Sequence, residues 1–414
     1  MLTSSEELAA AALAWVSATG VADGNGMWWS SRPSSDEPDP GIYHGVAGIV
    51  LALLEAHAHF GDQRWADLAL RGTRWLTSAI DAPEYEPYPS LYAGLAGMAL
   101  ALHEAGGYFG DDAARAASER GLARVRAGFD GERWGAPFEL LSGNAGIALA
   151  ALRIGDAGLA EMAVTPYLRT AETTAHGVHW EPRRGHPSRL HHISHGTLGV
   201  AYALAATGAV TGRADLTAAA LAGVADVVAR NEAGPDGFLV PHSDPQQVAP
   251  GLERYAYGWC HGPAGDAQVF RLLAQLTGDV SWRSLVDRCW HTVTTSGLPA
   301  RLRPGFWDNS GRCCGTAGVL ALACDRAVED GAGLAFAGVL ASDIAQRATV
   351  DASGARWSNY EHRASPPALE PQPGWSMGNA GLIRELLRYT RITDGRDPAY
   401  AVQWPDQPAV LFPA

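Results

Sequence analysis

Two short stretches of the sequence bring together residue types that bind transition metals. Cys260 lies in the run Gly-Trp-Cys-His-Gly, and Cys313 and Cys314 are adjacent in Arg-Cys-Cys-Gly. Three thiolates favour zinc among the abundant divalent ions, and three protein ligands leave a fourth position open, as catalytic zinc sites require. If His261 filled that position, the site would be closed and structural. Buried thiols without any metal are the third possibility, because free cysteine is among the most buried residue types.

These cysteines stand at the start of two members of a sevenfold repeat. A Gly-x-x-Gly unit followed by an apolar run recurs with its first glycine at Gly45, Gly94, Gly143, Gly196, Gly262, Gly315 and Gly378. Each interval holds a second, more polar pattern that is typical of a helix with one solvated face. Two glycines one turn apart remove side-chain bulk, so that backbones can approach closely. The pattern predicts seven helical hairpins, each with one buried helix.

The repeat length predicts how the hairpins assemble. Open solenoids usually have shorter and more regular units than these, whose first glycines are 49 to 66 residues apart. We therefore predict an all-α fold, an α/α toroid of seven inner and seven outer helices, with residues 1–414 forming a single domain and with strands limited to short loop pieces. In such a ring, the residues before each first glycine share one end, and chemistry is expected there.

The reactive side chains fall at two sequence positions, the two residues that directly precede the first glycine of a repeat. The residue just before the first glycine is a histidine or cysteine in four repeats, at His44, His195, His261 and Cys314. The position before that holds Cys260 and Cys313 in repeats five and six. Helix N-termini favour anions by about 0.3–1 kcal/mol, which helps to keep thiolates ionised. Cys289 and Cys324 lie inside helical stretches, where core packing is the default, and His44 is left unassigned.

Composition excludes several function classes. All 31 basic residues are arginines, so there is no lysine for a P-loop, a Schiff base or pyridoxal phosphate. A net charge of −13 argues against a duplex nucleic-acid binder. The N-terminus reads as a helix capped by Ser4 or Ser5 rather than a signal peptide, and the longest apolar run, from Val46 to Leu54, is too short to span a bilayer. We expect a cytoplasmic protein with no nucleic-acid or membrane partner.

The two cysteine motifs together with seven Gly-x-x-Gly units resemble the lanthionine synthetase C-like cyclases over essentially the full chain. The resemblance implies a catalytic Zn²⁺ held by Cys260, Cys313 and Cys314, the last standing where many members have histidine, as in the family's all-cysteine branch. It also implies the reaction: cysteine thiols of a precursor peptide add to dehydroalanine or dehydrobutyrine and form thioether rings. The implied partners are a dehydrated precursor peptide with its leader and separate dehydrating enzymes.

Three further residues are candidates through the same resemblance. His195 matches the family's active-site histidine and would protonate the enolate as general acid, although a structural histidine is the usual interpretation of such a residue. Glu139 stands at the family's acidic position, where aspartate is commoner, and would orient or charge the imidazole. The family's arginine is missing, because Ala256 stands at its position, and Arg254 is the nearest substitute.

Three alternative functions remain open. A non-catalytic family member would bind zinc, thiols or peptides without forming rings. A zinc-dependent thiol alkyltransferase would use a diphosphate electrophile, which the scarcity of cations before the glycines disfavours. Barrel-shaped glycosidases need paired carboxylates, and only Glu139 lies near the expected end of the ring. Three connections, at 180–187, 235–257 and 354–374, would shape a peptide groove or serve as solvated linkers.

Overall fold

A computed structural model describes residues 4–85, 88–247, 253–300, 309–360, 364–405 and 407. The chain divides into two compact units. Unit 1 comprises Met1–Tyr85, Gly97–Gly121 and Pro299–Val402, and unit 2 comprises Glu86–Ala96, Leu122–Leu298 and Gln403–Ala414. The single domain over 1–414 stays a prediction.

Helices make up most of the described chain. In chain order they are α1 (Ser5–Thr19), α2 (Val46–Phe60), α3 (Gln63–Ala79), α4 (Leu95–Phe109), α5 (Asp112–Ala127), α6 (Asn144–Ile154), α7 (Ala157–Val164), α8 (Pro166–Thr170), α9 (Thr197–Thr211), α10 (Ala214–Val228), α11 (Pro263–Thr277), α12 (Val280–Thr295), α13 (Thr316–Asp330), α14 (Leu334–Arg347) and α15 (Asn379–Thr393). Four antiparallel two-stranded pairs lie in the loops: β1 (Val21–Asp23) with β2 (Gly26–Trp28), β3 (Glu172–Thr173) with β4 (Val178–His179), β5 (Arg189–Leu190) with β6 (Ser243–Asp244), and β7 (Thr349–Asp351) with β8 (Gly354–Arg356). Strands are thus limited to loop pieces, as predicted.

Each Gly-x-x-Gly unit opens a buried helix that packs on a more polar partner. The buried helices are α2, α4, α6, α9, α11, α13 and α15. In unit 1, α2 packs on α3, α13 on α14 and α15 on α1, and Ser118 Oγ of α5 donates to Ala99 O of α4 at 2.7 Å. In unit 2, α6 packs on α7, α9 on α10 and α11 on α12. The seven hairpins are therefore present, with the N-terminal helix α1 partnering the last buried helix.

Helix α1 begins where the sequence predicts. Ser4 caps it, since its Oγ accepts the Glu7 N–H at 3.1 Å while the Glu7 carboxylate accepts the Ser4 N–H at 3.3 Å. This reciprocal pair satisfies two backbone donors that the first helical turn leaves open.

In repeats four and five, the second glycine of the Gly-x-x-Gly motif is required by the loop that precedes it. A Cβ on Gly199 would lie 2.0 Å from the carbonyl oxygen of Ile193, and one on Gly265 would lie 1.8 Å from that of Trp259. Both oxygens belong to the residue six positions earlier in the chain. The sequence indicates a close backbone approach, and the structure shows that the approaching backbone is the turn that delivers the helix.

Backbone hydrogen bonds align these turns with one another inside each unit. They join the residues two positions before the first glycine of successive repeats. In unit 2 they run from Tyr92 N to Leu141 O (3.4 Å), Leu141 N to Ser194 O (3.2 Å) and Ser194 N to Cys260 O (3.3 Å). In unit 1 they run from Cys313 N to Ser376 O (2.8 Å) and Ser376 N to Tyr43 O (2.9 Å). Positions that are equivalent in the sequence are therefore equivalent in space within each unit.

Candidate functional site

Cys313 and Cys314 lie in the turn that leads into α13 of unit 1. Cys313 is 1% exposed, whereas Cys314 is partly exposed, and their Sγ atoms lie 3.5 Å apart. The hydroxyl of Tyr43 donates to Cys313 Sγ at 3.2 Å. A hydrogen bond to sulfur stabilises the thiolate relative to the thiol, so this contact favours the form that binds metals.

Cys260 lies in the equivalent turn before α11 of unit 2 and is 3% exposed. Its carbonyl oxygen accepts two hydrogen bonds from Ser194, one from the backbone N–H at 3.3 Å and one from the hydroxyl at 2.7 Å. The backbone of Cys260 is therefore held firmly before any ligand binds.

Among the described residues, one group of side chains has the composition and spacing to hold a metal ion. The Sγ atoms of Cys260, Cys313 and Cys314 all lie within 4.8 Å of one another. Zinc–sulfur bonds of about 2.3 Å at tetrahedral angles place sulfurs roughly 3.8 Å apart, so small side-chain rotations would suffice. A donor set of three thiols fits Zn²⁺. Its role as the zinc site stays a prediction.

The two remaining cysteines differ from this group. Cys289 of α12 and Cys324 of α13 are both 0% exposed. Burial raises the pKa of the Cys289 thiol well above its usual value and raises that of Cys324 to about 12. Both are neutral core thiols near pH 7, which agrees with the core packing predicted for them.

His195 and Glu139 form a hydrogen-bonded pair in unit 2. His195 Nδ1 lies 3.0 Å from Glu139 Oε2, and the histidine side chain is 37% exposed while that of the glutamate is 4% exposed. The carboxylate also accepts the backbone N–H groups of Leu141 at 2.7 Å and Ser142 at 2.9 Å. These bonds fix the carboxylate, which in turn fixes the imidazole and its tautomer, leaving Nε2 as the nitrogen that can exchange a proton.

Further imidazoles surround His195, and sequence reasoning missed most of them. The His261 ring stacks on that of His195 with centroids 5.4 Å apart and planes 26° apart. The rings of His242 and His192 lie 4.3 Å and 6.1 Å from His261. Burial, with the neighbouring imidazoles, lowers the pKa of His242 to about 3 and that of His261 well below its usual value. The run His-His-Ile-Ser-His at 191–195 could have indicated His192, whereas no sequence pattern marks His242.

The side chains of Arg254 and His44 make other contacts. The guanidinium of Arg254 is 49% exposed and pairs with Glu232 at 2.5 Å, and its Nε also donates to the hydroxyl of Tyr255 at 3.0 Å. Only its backbone reaches towards this cluster of imidazoles, since Arg254 O accepts the His242 N–H at 2.7 Å. The catalytic role of Arg254 stays a prediction without support from these contacts. His44 lies in unit 1, where its ring makes an edge contact with Tyr43 at 4.6 Å.

Two of the three connections singled out in the sequence meet in unit 2. Strand β5 follows 180–187, strand β6 belongs to 235–257, and the two strands pair antiparallel. A cavity of about 450 Å³ opens there, lined by residues that include His179, Glu181, Arg189 and Asp244. The third connection, 354–374, lies in unit 1, and its residues 361–363 fall outside the described chain. The role of all three in peptide binding stays a prediction.

Comparisons with known proteins agree with the sequence resemblance. The model of the family described as lanthionine synthetase C-like protein matches residues 36–249 and 244–336. A search of curated proteins finds no match. No helix among the described residues is both long and apolar enough to cross a membrane.

Solved structures with a similar fold include a nisin cyclase, which is 15% identical with a TM-score of 0.64 and covers 91% of this chain and 93% of that one. A chain named UGL with dGlcA-Glc-Rha-Glc is 15% identical with a TM-score of 0.51, covering 77% of this chain and 96% of that one. At such identities the likeness concerns the fold alone. It confirms the predicted all-α fold, the α/α toroid of seven inner and seven outer helices.

Proposed function

Because this chain belongs to the lanthionine synthetase C-like family, we propose that it is a zinc-dependent lanthipeptide cyclase. It adds the cysteine thiols of a precursor peptide to dehydroalanine or dehydrobutyrine and so forms thioether rings. The observation that carries the proposal is the group of three cysteine sulfurs within 4.8 Å of one another. The partly exposed position of Cys314 supports access to this group from solvent.

The reaction needs a thiolate near neutral pH. A free cysteine with a pKa of about 8.5 is only about 3% ionised at pH 7. A zinc ion held by Cys260, Cys313 and Cys314 would supply the remaining ionisation, worth roughly thirtyfold in the concentration of the nucleophile. An all-thiolate set leaves electron density on sulfur, so it suits alkylation of a thiol better than activation of water.

His195 would provide the proton that completes the addition. The new C–S bond forms at the β-carbon while the C=C π bond breaks and its electron pair moves into an enolate. His195 Nε2 then gives a proton to the α-carbon, and the proton released by the substrate thiol restores the imidazolium, so no oxidant or reductant is needed. The partial exposure of His195 allows contact with a peptide.

Glu139 would act through His195 rather than on the peptide. Its carboxylate is buried, accepts two backbone N–H groups and holds Nδ1 of the imidazole at 3.0 Å. A negative charge at that position stabilises the protonated ring between proton uptake and proton release. Glutamate can therefore serve at a position where aspartate is commoner.

The alternatives predict different products. A non-catalytic protein would bind zinc and thiols but would leave a dehydrated peptide unchanged. A thiol alkyltransferase would consume a diphosphate. A sugar-cleaving enzyme needs two carboxylates with one free to protonate a leaving group, whereas the Glu139 carboxylate is already bonded to His195 and two backbone donors.

The test compares cysteines inside and outside the sulfur group. We expect Cys260→Ala and Cys314→Ala to lose stoichiometric zinc and to stop ring formation in a pre-dehydrated precursor peptide. The matched control is Cys289→Ala, which removes a buried thiol outside the group and should keep both zinc and activity. Metal analysis and mass spectrometry of thiol-blocked products measure the two results. Stoichiometric zinc in both site variants would show that the metal assignment is wrong.

The proposed setting follows from the chemistry. Ring formation requires a peptide whose serines or threonines have already been dehydrated, and we propose that separate enzymes carry out this step and that the peptide still carries its leader. Such a peptide is made in the cytoplasm, which is therefore the proposed location.

A further inference from the structure

His192 and Asp266 form a fully buried pair beside the candidate site in unit 2. His192 Nδ1 lies 2.7 Å from Asp266 Oδ2, and the two side chains are 0% and 1% exposed. His192 Nε2 and Asp266 Oδ1 are buried without a hydrogen-bond partner among the residues that the structure describes. Burying polar atoms in this way costs stability, so packing alone does not explain why these residues stand here.

The other six repeats show that Asp266 is an exception. Asp266 is the fourth residue after the first glycine of its repeat, and the equivalent residues are apolar in all other repeats: Ile49, Met98, Ile147, Val200, Val319 and Leu382. The buried helices therefore do not need a carboxylate at this position. The carboxylate of Asp266 is instead explained by its contact with His192.

His192 is equally unusual among its equivalents. It is the fourth residue before the first glycine of repeat four. At the equivalent position of repeats two and three, Ser90 and Glu139 accept hydrogen bonds from backbone N–H groups of the turns in which they lie. Ser90 Oγ accepts the Ala93 N–H at 3.3 Å, and the Glu139 carboxylate accepts two backbone N–H groups of its turn. His192 instead reaches to the helix of the next repeat.

Two attachments thus join the turn that carries His195 to the segment that carries Cys260. Ser194 donates both its backbone N–H and its hydroxyl to one atom, the carbonyl oxygen of Cys260. Because these two bonds share one acceptor, they constrain the distance between the two segments more than their relative orientation. The bond from His192 to Asp266, in the first turn of α11, adds a second point of attachment between the same two segments and so constrains their orientation as well.

We propose that His192 and Asp266 are positioning residues that hold His195 at a fixed direction relative to Cys260 during cyclisation. This inference rests on the proposed function. The enolate carbon is planar, and the face that receives the proton decides the configuration of the product. A small rotation of the His195 turn would therefore slow proton transfer and would also deliver protons to the wrong face.

The experiment uses the zinc-loaded full chain and a peptide that contains one dehydroalanine and one cysteine. For Asp266→Leu we expect kcat to fall roughly 10- to 100-fold, with KM within about twofold of wild type. The proportion of the minor diastereomer should rise above its wild-type value. Asp266→Asn keeps an oxygen that accepts the His192 Nδ1–H, so it should restore the wild-type diastereomer ratio. A merely structural role would change the amount of folded enzyme but not this ratio.

Two further variants guard against misfolding. His192→Leu combined with Asp266→Leu replaces the pair by apolar side chains, so stability should recover while the diastereomer ratio stays eroded. Ile49→Ala perturbs the equivalent position of repeat one and should change stability alone.

Two outcomes would overturn the inference and separate it from the proposed function. A folded, zinc-loaded Asp266→Leu enzyme with wild-type kcat and diastereomer ratio would overturn the positioning role alone. A wild-type chain that binds zinc but forms no ring in dehydrated peptides would overturn the proposed function and this inference with it.

Discussion

Units 1 and 2 each bury a cluster of polar side chains, and the two clusters are built from different chemistry. In unit 1, arginines of α15 pair with buried carboxylates and donate to carbonyl oxygens of the segment 398–402. Arg391 pairs with Glu55, and Arg388 pairs with Asp325 at 2.7 Å. The carbonyl oxygens that accept from the arginines belong to Pro398, Ala399 and Val402. Permanent charges with matched partners hold this segment on the helix.

In unit 2, the buried polar cluster is made up largely of imidazoles, and it includes His179 and His191 as well as those beside His195. Burial lowers the pKa of His191 to about 3, with further lowering by His192, and that of His179 to about 4. Neither ring nitrogen of His191 has a hydrogen-bond partner among the described residues. Burying imidazole nitrogens without hydrogen-bond partners costs stability rather than adding to it.

The difference between the two buried clusters indicates that the same helical hairpin supports stability in unit 1 and chemistry in unit 2. Matched arginine and carboxylate pairs have no proton to exchange near neutral pH, so they serve the fold. The buried imidazoles of unit 2 instead surround His195, a partly exposed imidazole that can exchange a proton, so they serve chemistry at a cost in stability. Damage to the first cluster should therefore appear in unfolding, and damage to the second should appear in rate.

The sharpest test on the catalytic side is His195→Asn, with the largest expected effect. Loss of the proton donor should slow cyclisation of a dehydrated peptide by about 10²- to 10⁴-fold, while zinc content and urea unfolding stay at wild-type values. The control is His57→Asn, which removes a partly exposed imidazole that is hydrogen-bonded to the Tyr108 hydroxyl in unit 1 and should leave the rate unchanged. An unaltered rate in His195→Asn would break the comparison, because both clusters would then be structural.

On the structural side, Arg388→Met should destabilise unit 1. Removing Arg388 takes away the guanidinium that lies 2.7 Å from the buried Asp325 carboxylate, and losing one partner of a buried pair costs about 3–5 kcal/mol. Urea unfolding measures this loss, and turnover per folded molecule should be unchanged. Adding Asp325→Leu to the same chain should recover most of the stability. Arg120→Met, which breaks the exposed pair with Asp81, should cost less than about 1 kcal/mol.

The repeat was enough to predict the fold and the groups that line up before each helix. The repeated glycines are visible in the sequence because the fold requires them: a Cβ at Gly199 or Gly265 would collide with the preceding turn. The three cysteines followed from the same alignment of repeats, and the structure brings their sulfurs together. Patterns that recur can be compared with one another inside a single chain.

What the sequence did not predict are contacts made by single residues. His242 enters the imidazole cluster from a long connection that belongs to no repeat, so no spacing marks it. Arg254 is close to Ala256 in the chain, yet its side chain points to Glu232 on the surface. The partner of His192 lies 74 positions away, in another hairpin. Each of these depends on how loops and hairpins pack, which local patterns do not record.

The smallest expected effect is a pH dependence of stability that comes from unit 2. The folded-state pKa values of His191 and His179, about 3 and about 4, lie below the value of about 6.5 expected in the unfolded chain. Between these values the unfolded state binds more protons, so stability is greatest above pH 6.5 and falls as the pH is lowered towards 4. Each histidine should cost about 1–2 kcal/mol between pH 7 and pH 5.

His191→Gln and His179→Gln sharpen this prediction, because glutamine is polar but does not titrate. Urea unfolding at pH 7 and pH 5 should show a smaller acid-induced loss in either variant than in the wild type. Arginine side chains do not titrate over this range. An acid-induced loss of equal size in wild type and both variants would mean that the buried imidazoles do not titrate on unfolding, and the contrast between the two clusters would then lie in geometry rather than in protons.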